Sequence, residues 1–194
     1  IEYYSIDQVG NREATRTAQV YIDDTAPTST DDAPQGWQTT TLDVTLSSSD
    51  ALSGLEATYY SLDGSDPATY TAPVPVSGDG THTIEYYSID QVGNREATRT
   101  AYVYVDGAAP VTTSNALDSY AATATITLNP TDATSGVSST FWRLDGGVWN
   151  TGTTLSASAP GTHLLEFYST DLAGNIEEIE SVSFDIIARY DNLH

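Results

Sequence analysis

The sequence predicts an all-β chain of tandem antiparallel β-sandwiches with almost no helix, and three observations predict it. One segment is written twice almost letter for letter: IEYYSIDQVGNREATRTAQVYID from Ile1 to Asp23 returns from Ile84 to Asp106 with only Gln19/Tyr102 and Ile22/Val105 different, and a diverged copy runs from Leu165 to Ile186. Each copy is an alternating strand, a D-x-x-G-N turn and a second alternating strand, the pattern of a β-hairpin. The hairpin recurs roughly every 80 residues, too long for a solenoid repeat and suited to whole domains with their own cores. No stretch sustains a 3.6-residue period, and runs such as Thr39-Thr40-Thr41 and Ser47-Ser48-Ser49 favour extended structure and turns over helix.

In chain order, residues 1–23 supply only a hairpin, which alone is marginal in water. It is read as the end of an incomplete domain or as a hairpin donated to a neighbouring chain by strand addition. Residues 24–106 and 107–187 form two complete units, each opened by a short joint ending in Pro27 or Pro110, and 188–194 is a tail. Thr28 to Trp37 reads as a first edge strand or loop. Leu42, Val44 and Leu46 alternate inward, as do Ala124, Ile126 and Leu128. The next strand buries Tyr60 and Leu62, matched by Trp142 and Leu144, before the tight turns Asp63-Gly64 and Asp145-Gly146. In the repeated hairpin Ile84, Tyr86 and Ser88 face in with Ala101, Val103 and Val105. Leu165, Phe167 and Ser169 do the same with Val182, Phe184 and Ile186. Agreement between the copies fixes the register, because a slip of one residue would turn every side chain to the wrong face.

Composition narrows the function. The 194 residues hold 27 acids against 6 basic residues, all Arg, for a net charge of −21. Nucleic acid and anionic membrane surfaces both require clustered cations and are excluded as partners. No apolar run approaches the 18 residues of a membrane span, so no direct membrane insertion is expected. With no Cys there are no disulfides, and with no Lys no Lys–Asn isopeptide staple. The chain starts in mid-domain without Met, which suggests a piece of something longer.

Acidic residues are the main candidate sites. Asp7, Asp90 and Asp171 open turns closed by Asn11, Asn94 and Asn175; Asp caps such a turn through backbone N–H groups while Gly-Asn supplies positive φ. Asp50 and Asp132 cap turns with Ser53-Gly54 and Ser135-Gly136. The pairs Asp23-Asp24 and Asp31-Asp32, with Asp106 at the second joint, are the Ca²⁺ candidates, since paired carboxylates repel unless something neutralises them. His82 and His163 recur at a strand start and suit a packing or corner-bonding role, with no nucleophile and acid converging on them. Tyr59, Tyr87, Tyr102 and Tyr104, or Trp149 and Tyr168, are candidates for stacking on sugar rings. No spacing singles out a pair of carboxylates for hydrolysis.

The succession A-P, D-x-x-S-G-[LV], L-D-G and G-T-H-x-[IL]-E-[YF]-Y-S-x-D-x-x-G-N resembles the bacterial Ig-like repeats of the OmpL47-type β-barrel and related surface-protein families over residues 24–187. The run Tyr60-Ser61-Leu62-Asp63-Gly64-Ser65-Asp66-Pro67 also resembles the chitobiase C-terminal type of Ig-like module. Both resemblances imply an Ig-like or fibronectin-III-like sandwich in large secreted or cell-surface proteins. They imply a spacer, stalk, surface-layer or accessory role, and no catalytic residues to transfer. The expectation is therefore a non-enzymatic structural segment of a repeat protein, partnered by other copies of the repeat or chain. The alternatives are a carbohydrate-binding module that takes cell-wall or extracellular glycan, and a filament subunit donating residues 1–23.

Overall fold

A computed structural model describes residues 1–188, which contain nineteen strands and no helix. Residues 189–194 of the expected tail lie outside the described residues. The opening hairpin pairs β1 (Glu2–Tyr3) with β2 (Arg16–Thr17). The first sandwich comprises β3 (Thr28–Asp31), β4 (Trp37–Gln38), β5 (Leu42–Val44), β6 (Leu46–Ser49), β7 (Leu55–Leu62), β8 (Ala68–Thr69), β9 (Val74–Val76), β10 (Gly80–Asp90) and β11 (Arg99–Val105). The second comprises β12 (Val111–Ser114), β13 (Ser119–Ala121), β14 (Ala124–Thr131), β15 (Val137–Leu144), β16 (Asn150–Thr151), β17 (Thr154–Ala157), β18 (Gly161–Asp171) and β19 (Glu180–Ile187).

Each sandwich has a five-stranded sheet, in the order β4-β11-β10-β7-β8 or β13-β19-β18-β15-β16. Facing it are the pairs β3-β6 and β5-β9 in the first unit, and the sheet β12-β14-β17 in the second. The inner faces carry the alternation read from the sequence. Val44, Leu46, Val74, Val76, Ile84, Tyr86, Ala101, Val103 and Val105 form one buried cluster, and Ala124, Ile126, Leu128, Leu155, Leu165, Phe167, Phe184 and Ile186 form the other. Tyr60, Leu62, Trp142 and Leu144 pack against these clusters from partly buried positions.

Two features depart from the sequence reading. The sandwiches are not wholly antiparallel: β4 runs parallel to β11 and β13 parallel to β19. The opening strand of each unit begins on one sheet, antiparallel to β6 or β14, and crosses to the edge of the other. In the first unit Pro34 and Gly36 make the crossing; Gly36 has φ +84°, which a side chain would strain. The expected continuous strand Thr41 to Leu46 is also divided. Thr45 leaves the ladder to exchange bonds with Asp32, its N–H reaching Asp32 Oδ1 at 2.6 Å while Asp32 N–H reaches its carbonyl at 3.2 Å. β5 and β6 therefore take different partners, β9 and β3.

A shift of register where β7 meets β10, between Ile89 and Asp90, pairs Asp90 with Leu55 and leaves Glu56 as an extra residue. The same bulge pairs Asp171 with Val137. It lays each D-x-x-S-G loop against the end of the long strand, where Gln91 N–H donates to Gly54 carbonyl at 3.0 Å and Leu172 N–H to Gly136 carbonyl at 3.0 Å. Three distant segments thus meet at each joint.

Candidate functional site

The three D-x-x-G-N turns are built alike. Asp7 Oδ1 accepts from Val9 N–H at 3.0 Å and Asn11 N–H at 2.8 Å, and its Oδ2 from Asn11 Nδ2 at 2.8 Å. Asp90 repeats this with Val92, Asn94 and the Asn94 amide at 3.0, 2.8 and 2.7 Å. Asp171 Oδ1 takes Gly174 and Asn175 N–H at 2.6 and 2.8 Å, and its Oδ2 the Asn175 amide at 2.8 Å. The Asn11 side chain, then backbone N–H groups, hold the Asp7 carboxyl below its ordinary pKa. Burial works to raise Asp90, but the donors from Asn94, Val92 and Gly93 prevail and hold it low as well.

At the joints the second and third of these turns meet the chain entering their own unit. The Asn94 amide donates to Asp23 carbonyl at 3.1 Å; the Asn175 amide donates to Asp106 carbonyl at 2.8 Å and Ala108 carbonyl at 3.2 Å. Asp23 Oδ2 accepts Ser53 N–H and Asp106 Oδ2 accepts Ser135 N–H, both at 2.9 Å. Asp106 is fully buried, and its own N–H donates to Gln38 carbonyl at 2.8 Å. It is therefore pinned to the first sandwich by its backbone and to the second by its carboxylate. Its burial favours the neutral acid, but the Ser135 side chain and the N–H groups of Ser135 and Ala108 outweigh that and keep its pKa low.

This geometry groups Asp23 with Asp50 and Asp90, and Asp106 with Asp132 and Asp171; in each group one carboxylate oxygen per residue lies within 4.8 Å of the others. Among the described residues Asp24, Asp31 and Asp32 belong to neither group. Asp24 is exposed. Asp31 Oδ2 accepts the Tyr86 hydroxyl at 2.6 Å, and Asp32 binds Thr45. Sequence reasoning treated Asp50 and Asp132 chiefly as turn caps. The signal that joins them to Asp23 and Asp106 is recurrence at nearly the same spacing in both units.

The tyrosines do not form one platform. Tyr87 stacks on Tyr59 with ring centroids 5.3 Å apart, and the Arg95 guanidinium lies 3.7 Å from its centroid, so its π surface is engaged within the protein. Tyr104 leans on Trp37 at 5.5 Å, while Tyr102 is exposed. Tyr102 faces Thr83 and Tyr59 faces Tyr87, four residues further along β10. That separates the two pairs by about 13 Å along the strand. In the second unit Phe141 and Tyr168 stack at 5.0 Å and Trp149 meets Tyr168 edge-on at 4.9 Å, beside a cleft of about 300 Å³.

Both histidines close corners. His82 Nδ1 meets Asp63 Oδ2 at 2.8 Å and its Nε2 meets Gly78 carbonyl at 3.0 Å; His163 meets Asp145 Oδ2 and Ala159 carbonyl at 2.7 and 2.8 Å. With an acceptor at each nitrogen the imidazolium is favoured. The His82 pKa is raised first by Asp63, that of His163 first by the Ala159 carbonyl and then by Asp145.

A buried polar network escaped the sequence reading. Glu96 accepts Ser88 N–H at 2.9 Å, Ser29 N–H at 3.1 Å and the Ser29 hydroxyl, and the Ser88 hydroxyl continues to Thr58 at 2.8 Å. Glu177 does the same for Ser169 and Thr112 N–H at 2.9 and 2.6 Å. The signal was present in the repeat itself, where Glu13, Glu96 and Glu177 follow each turn at one offset.

Comparison with known proteins adds a partial family match. Residues 33–100, less than half of the chain, match the model of the chitobiase/beta-hexosaminidase C-terminal domain. A search of curated proteins finds no match. Among solved structures, the fibronectin(III)-like modules of Clostridium thermocellum CbhA align at 13% identity and TM-score 0.42, covering 86% of this chain and 100% of that one. The D00-D0 domain of intimin aligns at 13% and 0.40, covering 81% and 99%. The three N-terminal domains of the bacteriophage RB49 highly immunogenic outer capsid protein align at 9% and 0.43, covering 85% and 71%.

Proposed function

We propose that the chain is a non-enzymatic spacer: a segment of a secreted or cell-surface repeat protein in which Ig-like sandwiches are joined at a fixed orientation, as in a stalk, surface layer or fibre. One observation carries the reading. The same joint is made twice, with the same donors and acceptors, by Asp23, Ser53 and Asn94 and then by Asp106, Ser135 and Asn175. A joint held from both sides, as at Asp106, transmits direction when it is repeated unit after unit, which is the physical requirement of a stalk. The match to the chitobiase C-terminal model and the strongly acidic composition support an extracellular setting.

The test places spin labels on Glu85→Cys and Ser181→Cys, two exposed positions in a chain with no other Cys, and measures their distance distribution in saline containing millimolar divalent cations. A single narrow distribution that broadens on Asp106→Ala is expected. A broad distribution in the parent chain overturns the spacer reading. The carbohydrate-binding reading is favoured by a different observation, the cleft beside Phe141, Trp149 and Tyr168. Quenching or enhancement of Trp149 fluorescence by chitooligosaccharides, lost in Trp149→Ala, would support it.

A further inference from the structure

Each joint gathers three carboxylates, and among the described residues none of the six is paired with Arg or His. Hydrogen bonds use only part of their capacity. Asp132 Oδ1 accepts Thr134 N–H at 3.2 Å and Gly136 N–H at 2.6 Å, and Asp50 Oδ1 accepts Leu52 and Gly54 N–H at 3.1 and 2.8 Å. Those bonds occupy one oxygen of each acid and fix its direction, leaving Oδ2 for another partner. The remaining acids keep spare lone pairs, since each carboxylate oxygen offers two.

A second observation points to a ligand. The Ser135 side chain is more than nine-tenths buried, and its hydroxyl oxygen has no hydrogen-bond partner; the Ser53 hydroxyl oxygen is equally inaccessible and equally alone. Each belongs to the loop residue whose own N–H donates to the joint acid, Asp106 or Asp23, at 2.9 Å, so the hydroxyl stands beside the cluster without a partner. An orphaned hydroxyl is costly to bury and calls for an explanation. Here the same orphan occurs at both joints, on the residue whose N–H binds the joint acid.

We propose that each joint is a calcium site, with Asp23, Asp50, Asp90 and the Ser53 hydroxyl at the first, and Asp106, Asp132, Asp171 and the Ser135 hydroxyl at the second. The donors are all oxygen, which selects a hard cation and gives no foothold to metals that prefer nitrogen or sulfur. The spread also fits. Oxygens on opposite sides of Ca²⁺ stand about 4.6–5.2 Å apart given its usual bond lengths, and the carboxylate oxygens lie within 4.8 Å of one another. A cleft of about 310 Å³ lined by Ile22 and Leu52 borders Asp23 and Ser53 of the first site. The proposal rests on the spacer reading for its purpose: the cation ties the entering strand, the D-x-x-S-G loop and the D-x-x-G-N turn into one rigid joint.

The experiment titrates the ¹⁵N-labelled full chain, stripped with chelator, with CaCl₂. Saturable shifts are expected at the amides of Ser53, Gly54 and Asn94 and at those of Ser135, Gly136 and Asn175, with dissociation constants around 0.1–1 mM, the range of extracellular modules. At ten times that constant each site raises the folded-to-unfolded ratio of its unit about elevenfold. Asp132→Asn keeps the turn, because the amide oxygen accepts the same two N–H groups, but removes a charge. It should abolish only the second set of shifts, and adding Asp50→Asn should abolish both. Should Asp132→Asn lower stability in chelator, the loss of the calcium-induced rise in melting temperature is read instead. No shift up to 10 mM CaCl₂, or both sets persisting in the double variant, overturns the site. Failure here with a narrow spin-label distance leaves the spacer standing without its metal. Binding with a broad distance leaves the metal without the spacer.

Discussion

The hairpins at residues 1–23 and 84–106 place nearly one sequence in two surroundings. Both make the same turn and keep the same register: Glu2 faces Thr17 and Tyr3 faces Arg16, as Glu85 faces Thr100 and Tyr86 faces Arg99. Local contacts are reproduced too. Ser5 N–H reaches Glu13 at 2.8 Å as Ser88 N–H reaches Glu96 at 2.9 Å, and Arg12 covers Tyr4 as Arg95 covers Tyr87. Burial is not reproduced. Ile1 and Val20 are 74% and 61% exposed, whereas Ile84 and Val103 are fully buried. The pairing shared by the two copies is kept, since Ile1 and Ala18 exchange both backbone hydrogen bonds at 2.8 Å where Ile84 faces Ala101. Turn and register are thus local properties, while burial, and with it stability, comes from an opposing sheet.

The largest expected effect separates the copies directly. Ile84→Ala should cost about 2–5 kcal/mol in urea unfolding of the first sandwich, and Ile1→Ala less than about 0.5 kcal/mol. A large effect at Ile1 would break the comparison, by showing that the first hairpin is covered in solution.

A smaller contrast lies in the polar network. Glu96→Gln puts an amide where Ser29 and Ser88 N–H need acceptors, which should cost about 1–3 kcal/mol. Glu13→Gln, whose carboxylate accepts from Ser5 at an exposed position, should leave the melting temperature unchanged. Equal effects at the two sites would mean that the interaction belongs to the hairpin and not to the sandwich.

The smallest effect is in pH, and only the sandwiches should show it. His82 and His163 have raised pKa values, so their contribution is complete below about pH 6.5 and is lost as pH climbs through the folded values. Asp63 and Asp145 are lowered, first by their histidines; their contribution is present above about pH 3.9 and is lost as pH falls through the folded values. Between those limits both are in force, so thermal stability should decline from pH 6 to pH 8. His82→Asn with His163→Asn should flatten that decline. A decline that persists in the double variant would place its cause elsewhere.

Much of this was legible because it is local or periodic. Alternation of Ile84, Tyr86 and Ser88 assigns the inner face, and Asp63-Gly64 announces a tight turn whose residues do take φ 51° and 74°. The D-x-x-G-N spacing lets an Asp oxygen reach its own turn's N–H groups in any context. What escaped was whatever depends on segments far apart in the chain. The parallel edge strands join residues near 37 to residues near 105, and no pattern within Trp37-Gln38 says so. Asp24, Asp31 and Asp32 look as acidic as Asp23 in sequence, yet only Asp23 reaches Asp50 and Asp90.

By itself, then, the sequence determined the hairpins, their turns, their inner faces and the order of two similar units, because backbone hydrogen bonding and a period of two act over a few residues. Only the tertiary structure decided which copy of the hairpin is buried, which acids converge at a joint and which hydroxyl is left without a partner. Those outcomes depend on where a bulge, a crossing strand and an opposing sheet place groups tens of residues apart, and that placement is set by packing the core as a whole.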